Sequence, residues 1–262
     1  MKFTLITGAS SGIGAQYASL CAQAGQNVIL VSNQPQQLSC VANDIKSRYG
    51  VEAKVIEADL SAADSAQMIY DTAKGWGEVD RLISNAGVLH CGKFINSSQK
   101  YIDFITALHC TTPMKLCMLF GADMAAKGEG KILIMSSMTA WTPFPTMSLY
   151  GSTKVMLKNF AQSFWYEMRE KGVSVTTVYP GAVDTPLYNL PDSQRKLLRG
   201  FGVMSSAESV ARKGLRAMNR GRRKVIPGLF TKIVVVICAI LPAVALLPVL
   251  KIPAIRRILD RL

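Results

Sequence analysis

Histidine is scarce in this sequence, and the cysteines show no metal-binding arrangement. Of 262 residues only His90 and His109 are histidine, and none of the six cysteines forms a C-x-x-C pair. A zinc site needs three or four such ligands at short, regular spacings. The sequence therefore predicts no metal site, and free thiols in a reducing compartment rather than disulfides.

The N-terminus lacks the apolar core of a secretory signal. The opening stretch MKFTLITG contains only a few apolar residues before a glycine, which is too short a run for the centre of a signal peptide. We therefore expect the chain to stay on the cytosolic side.

Acidic residues are nearly missing from the last part of the chain. Residues 1–192 hold 15 basic and 15 acidic residues, whereas residues 193–262 hold 15 basic and 2 acidic ones. The whole net charge of +13 therefore lies in the C-terminal segment. Because the same segment contains the most apolar stretch of the chain, its charge favours an anionic membrane surface over a nucleic acid. A soluble basic flank is the alternative.

A long hydrophobic run is absent until residue 233, but residues 233–250 then contain no charge at all. As a straight helix this run would reach about 27 Å, which is less than the roughly 30 Å of a bilayer core, and Pro242 and Pro248 would bend it. Basic residues flank it on both sides, so neither end is marked as the inner one. We expect residues 229–262 to form a tail that inserts partly into a membrane. Packing on the preceding part of the chain or in a dimer contact is the alternative.

Residues 1–228 alternate strand-length apolar runs with longer helix-compatible segments. The runs are residues 3–7, 27–31, 53–60, 80–87, 131–137 and 173–181, with a weaker last strand within 222–228. This alternation predicts a single α/β domain, a Rossmann-like doubly wound parallel sheet covered by helices on both faces. A helix over about residues 206–219, capped by Ser205 or Ser206, would precede the last strand.

A glycine-rich turn follows the first predicted strand. In TGASSGIG the glycines are Gly8, Gly12 and Gly14. Glycine permits a tight turn and a close approach to a pyrophosphate, and the following helix presents free N–H groups and a positive dipole end. The turn predicts a dinucleotide phosphate site, although a simple strand-to-helix connection could have the same glycines.

Three motifs in order resemble the classical short-chain dehydrogenase/reductase family: TGASSGIG, NAG at residues 85–87 and YGSTK at residues 150–154. The resemblance runs from about residue 3 to residue 228 and is to membrane-associated reductases of the ketoacyl and hydroxysteroid type. It implies an NAD(P)(H)-dependent oxidoreductase that interconverts a carbonyl and a secondary alcohol. The cofactor contacts that it implies are Gly8, Ser10, Ser11, Gly12, Ile13, Gly14, Ser32, Asn33, Asp59, Asn85, Ala86, Gly87, Tyr150, Lys154, Pro180, Gly181 and Thr185.

Ser32 and Asn33 stand at the end of the second strand, where the choice between the two nicotinamide cofactors is made. A carboxylate there would accept hydrogen bonds from the ribose of NAD, and an arginine would hold the extra phosphate of NADP. Neither is present, and without a carboxylate nothing repels that phosphate. We therefore expect NADP(H), with NAD(H) as the alternative.

Tyr150 and Lys154 are four residues apart, which places them on one face of a helix. A nearby ammonium group would stabilise the phenolate and let the tyrosine exchange protons near neutral pH. By the family resemblance, Ser137 would hold the substrate carbonyl, Tyr150 would transfer the proton, and Lys154 would also bind the nicotinamide ribose. The nicotinamide would carry the hydride.

The family's fourth catalytic residue is an asparagine, and His109 stands at the matching position in TALHCTTPMKL. In the family this asparagine holds a water in the proton path. A histidine could also donate and accept hydrogen bonds, and a pKa near 6.5 would make the path sensitive to pH. A structural role for His109 is an equal alternative, and His90 is expected to be a plain loop residue.

The segment between Thr185 and Met204 corresponds to the family's substrate lid. Its apolar side chains are Leu187, Tyr188, Leu190, Leu197, Leu198 and Phe201. They indicate an apolar or lipid-like substrate, with long-chain ketoacyl groups, sterols and retinoids all open, although packing of the lid is a plainer explanation. The expected location is the cytosolic face of a membrane, with a soluble enzyme as the alternative and a homo-oligomer possible.

Two other functions remain open from the sequence. The first is a non-catalytic nucleotide-binding sensor or scaffold that uses the tail to recruit a partner. The second is a soluble dimeric enzyme whose tail closes the cleft of its neighbour.

Overall fold

A computed structural model describes residues 1–89, 91–185 and 203–240, together with the single positions 200 and 248. The strands are β1 (Lys2–Thr7), β2 (Asn27–Ser32), β3 (Ala53–Glu57), β4 (Glu78–Ser84), β5 (Gly130–Met135), β6 (Val173–Val178), β7 (Ala182–Asp184), β8 (Met204–Ser206) and β9 (Lys224–Val225). The α-helices are α1 (Gly12–Gln23), α2 (Pro35–Tyr49), α3 (Ser65–Trp76), α4 (Gln99–Thr106), α5 (Thr112–Lys127), α6 (Ser148–Arg169), α7 (Ala207–Asn219) and α8 (Leu229–Ile240).

Seven strands form a central parallel sheet in the order β3-β2-β1-β4-β5-β6-β9. β1 lies between β2 and β4, so the order of the strands reverses at this point of the sheet. In such sheets a ligand binds outside the carboxyl ends of the strands next to the reversal. The predicted fold class is confirmed, and the weak last strand is present as the two-residue β9 within the predicted stretch.

Apolar side chains cover both faces of the sheet. On one face Leu5 belongs to a cluster with side chains of α3, α5 and α6. On the other face its neighbour Ile6 belongs to a cluster with side chains of α1, α2 and α7. Because successive residues of a strand point to opposite faces, a strand buried on both faces is largely apolar along its whole length. This is why the predicted strands are continuous apolar runs.

Two short strands that follow β6 in the chain, outside the central sheet, were not predicted. β7 and β8 pair in parallel, with Ala182 opposite Met204 and Asp184 opposite Ser206. Ser206 then caps α7, since its hydroxyl accepts a hydrogen bond of 3.2 Å from the backbone N–H of Ser209. The predicted start of this helix is confirmed. The strand pair ties the start of α7 to the chain that follows β6.

A π-helical turn at Ala107–Thr111 joins α4 to α5. The wider turn changes the direction in which side chains leave the helix, and such turns are frequent at functional sites. His109 lies in the middle of this turn and is completely buried. The turn thereby places His109 beneath the loop after β4.

Gly14 provides a test of the packing below the glycine turn. A β-carbon on Gly14 would overlap the carbonyl oxygen of Gly8, whereas a β-carbon on the helical Gly75 would meet no atom within 4 Å. We expect Gly14→Ala to lower the free energy of unfolding by about 1–3 kcal/mol, because α1 must move away from β1. The matched control Gly75→Ala should be neutral or stabilise by up to about 1 kcal/mol. Urea unfolding would measure both, and equal stability of the two variants would contradict the packing described.

Candidate active site

Two adjoining cavities open where the strands end. The first, of about 370 Å³, is lined by the loops that follow β1, β2, β3 and β4. The second, of about 270 Å³, is lined by the loops that follow β4, β5 and β6 and by α6. Both cavities contact Ile13, Asn85, Gly87, Val88 and Thr185. An elongated ligand can therefore extend from one cavity into the other.

The glycine turn forms one wall of the first cavity. Gly8 and Gly12 have φ angles of +66° and +54°, which favour glycine. A β-carbon on Gly8 would also lie 2.8 Å from the Cα of Ala86. The first turn of α1, Gly12 and Ile13, lines the cavity. Backbone N–H groups at a helix N-terminus suit a phosphate, so this wall fits the pyrophosphate of a dinucleotide.

Polar side chains surround the far end of the first cavity. The Ser32 hydroxyl donates to the Ser10 hydroxyl at 3.0 Å, and the Ser10 hydroxyl donates to Oε1 of Gln34 at 3.1 Å. Asn33 beside them is exposed. The carboxylate of Asp59 accepts hydrogen bonds from the backbone and the hydroxyl of Ser61. These groups fit the sugar and base of an adenosine, and β2 ends without a carboxylate.

The NAG motif is fastened to the end of β1. Nδ2 of Asn85 donates to the Thr7 carbonyl oxygen at 3.0 Å. The backbone N–H groups of Asn85 and Ala86 donate to the Thr7 hydroxyl at 2.9 and 3.0 Å. These bonds hold the loop after β4 at the boundary between the two cavities.

Ser137, Tyr150 and Lys154 all line the second cavity. Nζ of Lys154 donates to the carbonyl oxygen of Met135 at 3.4 Å and lies 5.5 Å from the centre of the Tyr150 ring. The Ser136 hydroxyl donates to the carbonyl oxygen of Lys154 at 2.9 Å. This bond fastens α6 to the end of β5, so the serine, tyrosine and lysine predicted from the motifs are brought to one place.

Burial sets the protonation of the tyrosine and the lysine. It lowers the pKa of Lys154 to about 8. It also raises the pKa of Tyr150, and a hydrogen bond with Ser137 only partly opposes that rise. The expected lowering of the Tyr150 pKa is therefore wrong for the chain alone, because desolvation of the phenolate is the largest effect. At neutral pH the pair is a phenol beside an ammonium group.

His109 is held in one tautomer by hydrogen bonds. Nε2 accepts from the backbone N–H of Val88 at 3.0 Å, so the ring proton lies on Nδ1. Nδ1 is 3.0 Å from the Thr153 hydroxyl, which itself donates to the carbonyl oxygen of Tyr150 at 2.7 Å. Nδ1–H is therefore the donor to Thr153. His109 connects the loop after β4 to the backbone of α6 at Tyr150.

The pKa near 6.5 expected for His109 is wrong. Burial lowers its pKa well below this value, and the Lys154 ammonium lowers it further. A charge on the ring would have to be desolvated next to another cation. His109 is therefore neutral at physiological pH, and both of its ring nitrogens are already engaged within the protein.

The neutral state of His109 predicts a loss of stability in mild acid. As the pH falls through about 6.5, the imidazole of His109 takes up a proton in the unfolded chain but not in the folded chain. The contribution of the neutral His109 to the free energy of unfolding is therefore complete above this pH and is lost below it. Between pH values of about 7.5 and 5.5, the wild type should lose roughly 1 kcal/mol more unfolding free energy than His109→Gln. Urea unfolding at the two pH values would measure this, and parallel losses in the two proteins would contradict a neutral His109.

The cavities contain nearly all of the predicted cofactor contacts. The first contains Gly8, Ser10, Ser11, Gly12, Ile13, Ser32, Asn33, Asp59, Asn85, Ala86, Gly87 and Thr185, and the second adds Tyr150, Lys154, Pro180 and Gly181. Gly14 packs beneath the turn against Gly8. His90 and the six apolar lid residues lie outside the described residues.

The sequence reasoning missed several residues of the site. Gln34 completes the polar end of the first cavity, and Thr153 links His109 to Tyr150. Phe144 and Met147 line the second cavity. Thr153 could have been found, because it lies inside the YGSTK motif. The others follow no local pattern and depend on how the loops fold.

The fold and the two cavities define a doubly wound α/β protein with a dinucleotide-type cleft beside a serine, a tyrosine and a lysine. Residues 2–195 match the family model described as short chain dehydrogenase. The chain belongs to this family, the classical short-chain dehydrogenases/reductases. The resemblance of the three motifs to the family is thereby confirmed.

The sequence is similar to several named dehydrogenases and reductases. It is 30% identical over 191 residues to 17-beta-hydroxysteroid dehydrogenase type 3 of Mus musculus, covering 71% of this chain and 61% of that protein. It is 31% identical over 192 residues to very-long-chain 3-oxoacyl-CoA reductase of Anas platyrhynchos, with the same two shares of 71% and 61%. The chain thus spans about 61% of the length of these two relatives.

Solved structures of the family superpose closely on this fold. A short-chain dehydrogenase from Sphingobium yanoikuyae in complex with NADPH has a TM-score of 0.79 at 26% identity, covering 87% of this chain and 89% of that one. A 7beta-hydroxysteroid dehydrogenase has a TM-score of 0.82 at 26% identity, covering 89% of this chain and 90% of that one.

Proposed function

We propose that the chain is an NADP(H)-dependent reductase of apolar, lipid-like ketones. The observation that carries this proposal is the composition of the second cavity. Ser137, Tyr150 and Lys154 lie in it, and the rest of its lining is largely apolar. The apolar lining residues include Leu89, Met138, Phe144, Met147, Ala182 and Val183. A ketone with an apolar body could place its oxygen at the polar group and its body against these side chains.

The first cavity would hold the adenosine and pyrophosphate of the cofactor. Gly8, Gly12 and the first turn of α1 would surround the pyrophosphate, and Asp59 would lie near the base. When bound, the nicotinamide supplies or accepts the hydride. The exposed Asn33 and the missing carboxylate at the end of β2 support NADP(H). The NADPH complex of the short-chain dehydrogenase from Sphingobium yanoikuyae also supports it.

Each polar side chain of the second cavity would then have one task. Ser137 would donate a hydrogen bond to the ketone oxygen, and Tyr150 would give that oxygen its proton as the carbonyl carbon is reduced. The Lys154 ammonium would stabilise the phenolate that remains. His109 would act as a positioning residue, because it fixes the backbone of Tyr150 through Thr153. The same groups would serve the reverse oxidation.

The names of the relatives agree with an apolar substrate. One is a 17-beta-hydroxysteroid dehydrogenase and another is a very-long-chain 3-oxoacyl-CoA reductase. A steroid and a long acyl chain share a reactive oxygen on a large apolar body. Both classes of ketone are therefore suitable test substrates for this chain.

Removal of the Tyr150 hydroxyl tests the reductase proposal. We expect Tyr150→Phe to lower kcat for a long-chain 3-oxoacyl or steroid ketone by about 10²–10⁴-fold, the usual effect of losing a general acid. Tyr166→Phe is the matched control, because Tyr166 is exposed on the same helix. Oxidation of NADPH and of NADH would be followed in parallel, and the higher kcat/KM should be with NADPH.

Two outcomes would contradict the reductase proposal. Full activity of Tyr150→Phe would remove the tyrosine from the reaction. Cofactor binding without turnover of any ketone in a broad panel would favour a nucleotide sensor instead.

We propose further that residues 1–228 form the catalytic domain and that residues 229–262 attach it to the cytosolic face of a membrane. Six side chains of α8 are apolar and exposed, and we call them the apolar stripe. They are Leu229, Phe230, Ile233, Val236, Ile237 and Ile240. Thr231 and Val235 on the opposite side are buried. Exposed apolar stripes of this kind suit a helix that lies in a membrane surface.

The described part of α8 also contacts the active-site loop. A β-carbon on Gly181, which lines the second cavity, would overlap the hydroxyl of Thr231. The buried side of α8 therefore lies against the cavity wall, and the apolar stripe faces away from it. Among the described residues, no helix has the length and apolar character needed to cross a bilayer.

Substitution within the apolar stripe tests the membrane proposal. We expect Ile233→Gln combined with Ile240→Gln to weaken binding to phosphatidylcholine vesicles by about tenfold, because apolar area is lost from the inserted face. Ile95→Gln combined with Met118→Gln is the matched control, since these apolar side chains are also exposed but lie outside α8. Flotation would measure the binding. A wild type that is a dimer and does not float would favour a tail that closes the cleft of a neighbouring subunit.

A further inference from the structure

A third cavity lies between α7, the loop before β9 and the start of α8. Its volume is about 240 Å³, and none of its residues belongs to the two active-site cavities. Four of the lining residues are cations: Lys213, Arg216, Arg222 and Lys232. The others include Ala217, Val225, Ile226 and Leu229, which form an apolar floor and rim. We call this cavity the basic cleft.

The four cations of the basic cleft are free to bind an external anion. None of the ion pairs among the described residues involves any of them. Glu208, the acidic residue of the first turn of α7, is paired with Arg212. Because like charges at one cleft repel one another, an anion bound between them would lower their electrostatic free energy.

The basic cleft is continuous with the apolar stripe of α8. Leu229 lines the cleft and is also the first residue of the stripe, where it is 75% exposed. Lys232 lines the cleft and, by its position on the helix, lies along one edge of the stripe. A ligand that fits both surfaces has an anionic head and an apolar body. Neither a free phosphate nor a nucleic acid would use the stripe.

We propose that the basic cleft binds the phosphate headgroup of an anionic phospholipid whose acyl chains lie along the apolar stripe. This inference rests on the membrane attachment proposed above, and it adds the class of lipid and the residues that recognise it. The headgroup would set the depth of α8 in the membrane surface, because the cations stay at the level of the phosphates while the stripe lies below them. Lipid binding at the cleft would thus fix the orientation of the neighbouring active-site cavity relative to the membrane.

The proposal is tested with the full chain and two matched pairs of substitutions. Lys213→Gln combined with Arg216→Gln removes two cations of the cleft from the exposed side of α7. Lys46→Gln combined with Lys171→Gln removes the same charge from exposed positions elsewhere. Flotation would use phosphatidylcholine vesicles with and without phosphatidylglycerol as a third of the lipid.

The expected result is selective for the cleft and for the anionic lipid. The cleft pair should weaken binding to phosphatidylglycerol vesicles by roughly 25-fold, at about fivefold for each basic residue near the surface. The control pair should stay within about twofold of the wild type, because charges distant from the membrane are screened. On phosphatidylcholine alone, the cleft pair and the wild type should bind alike.

Three results would overturn the proposal. The first is an equal loss of binding in the cleft pair and the control pair, which would show diffuse attraction. The second is wild-type binding by the cleft pair. The third is a response to free phosphate without any difference in vesicle binding. In that case inorganic phosphate at constant ionic strength would raise the Tm of the wild type but not that of the cleft pair, and the two proteins would bind anionic vesicles equally. The cleft would then be a site for soluble phosphate.

The reductase proposal can fail separately from this one. Turnover of ketone in detergent should be equal in the wild type, the cleft pair and the control pair, since the cleft shares no residue with the active-site cavities. A wild type without ketone turnover would reject the reductase and leave the flotation result standing. A wild type that binds neither kind of vesicle would reject both the membrane attachment and the headgroup site.

Discussion

The burial of the Lys154 ammonium is the constraint on which the rest of the active site depends. A cation deprived of water is costly, and the pKa of about 8 expresses that cost. The surrounding elements are arranged to tolerate it. The Met135 carbonyl accepts from the ammonium, and Ser136 holds the backbone of Lys154 in place. His109 remains neutral beside the charge. The packed sheet and helices supply the free energy that keeps this arrangement folded.

Gly87 shows how closely the neighbouring loops are fitted to this cation. A β-carbon there would lie 3.1 Å from Nε2 of His109 and 3.6 Å from Nζ of Lys154. A side chain at this position would therefore contact both groups and would press on the His109 ring. The motif thus has a packing role at the lysine as well as a place beside the cofactor cavity.

The sequence predicted the regular part of the fold and the reactive side chains. The β strands could be predicted because burial on both faces favours a largely apolar run such as FTLIT, and Ser206 could be predicted because helix caps follow local rules. Tyr150 and Lys154 could be predicted to lie together because their spacing of four residues places them on one face of a helix. The pairing of β7 with β8 could not be predicted, since strands of three residues show little sequence pattern and their pairing depends on residues distant in the chain.

The protonation states of His109 and Tyr150 could not be predicted from the sequence for a related reason. The sequence gives the residue types and therefore only the ordinary pKa values of histidine and tyrosine. Desolvation lowers the pKa of His109 and raises that of Tyr150, and desolvation depends on the folded surroundings. The tautomer of His109 likewise depends on the backbone N–H of Val88, which no side-chain motif reveals. The role of Gln34 depends on the loop after β2 in the same way.

The order of the strands has a consequence for the chain as it is being synthesised. β1 lies inside the sheet and precedes both of its neighbours in the chain, and these two neighbours are made at very different times. β2 follows closely, whereas the partner of Lys2 on the other side is Glu78, so β4 emerges much later. Until then one edge of an apolar strand is unpaired, and such an edge can join other chains. Between the synthesis of β2 and that of β4 the nascent protein is therefore exposed to pairing with other chains through this edge.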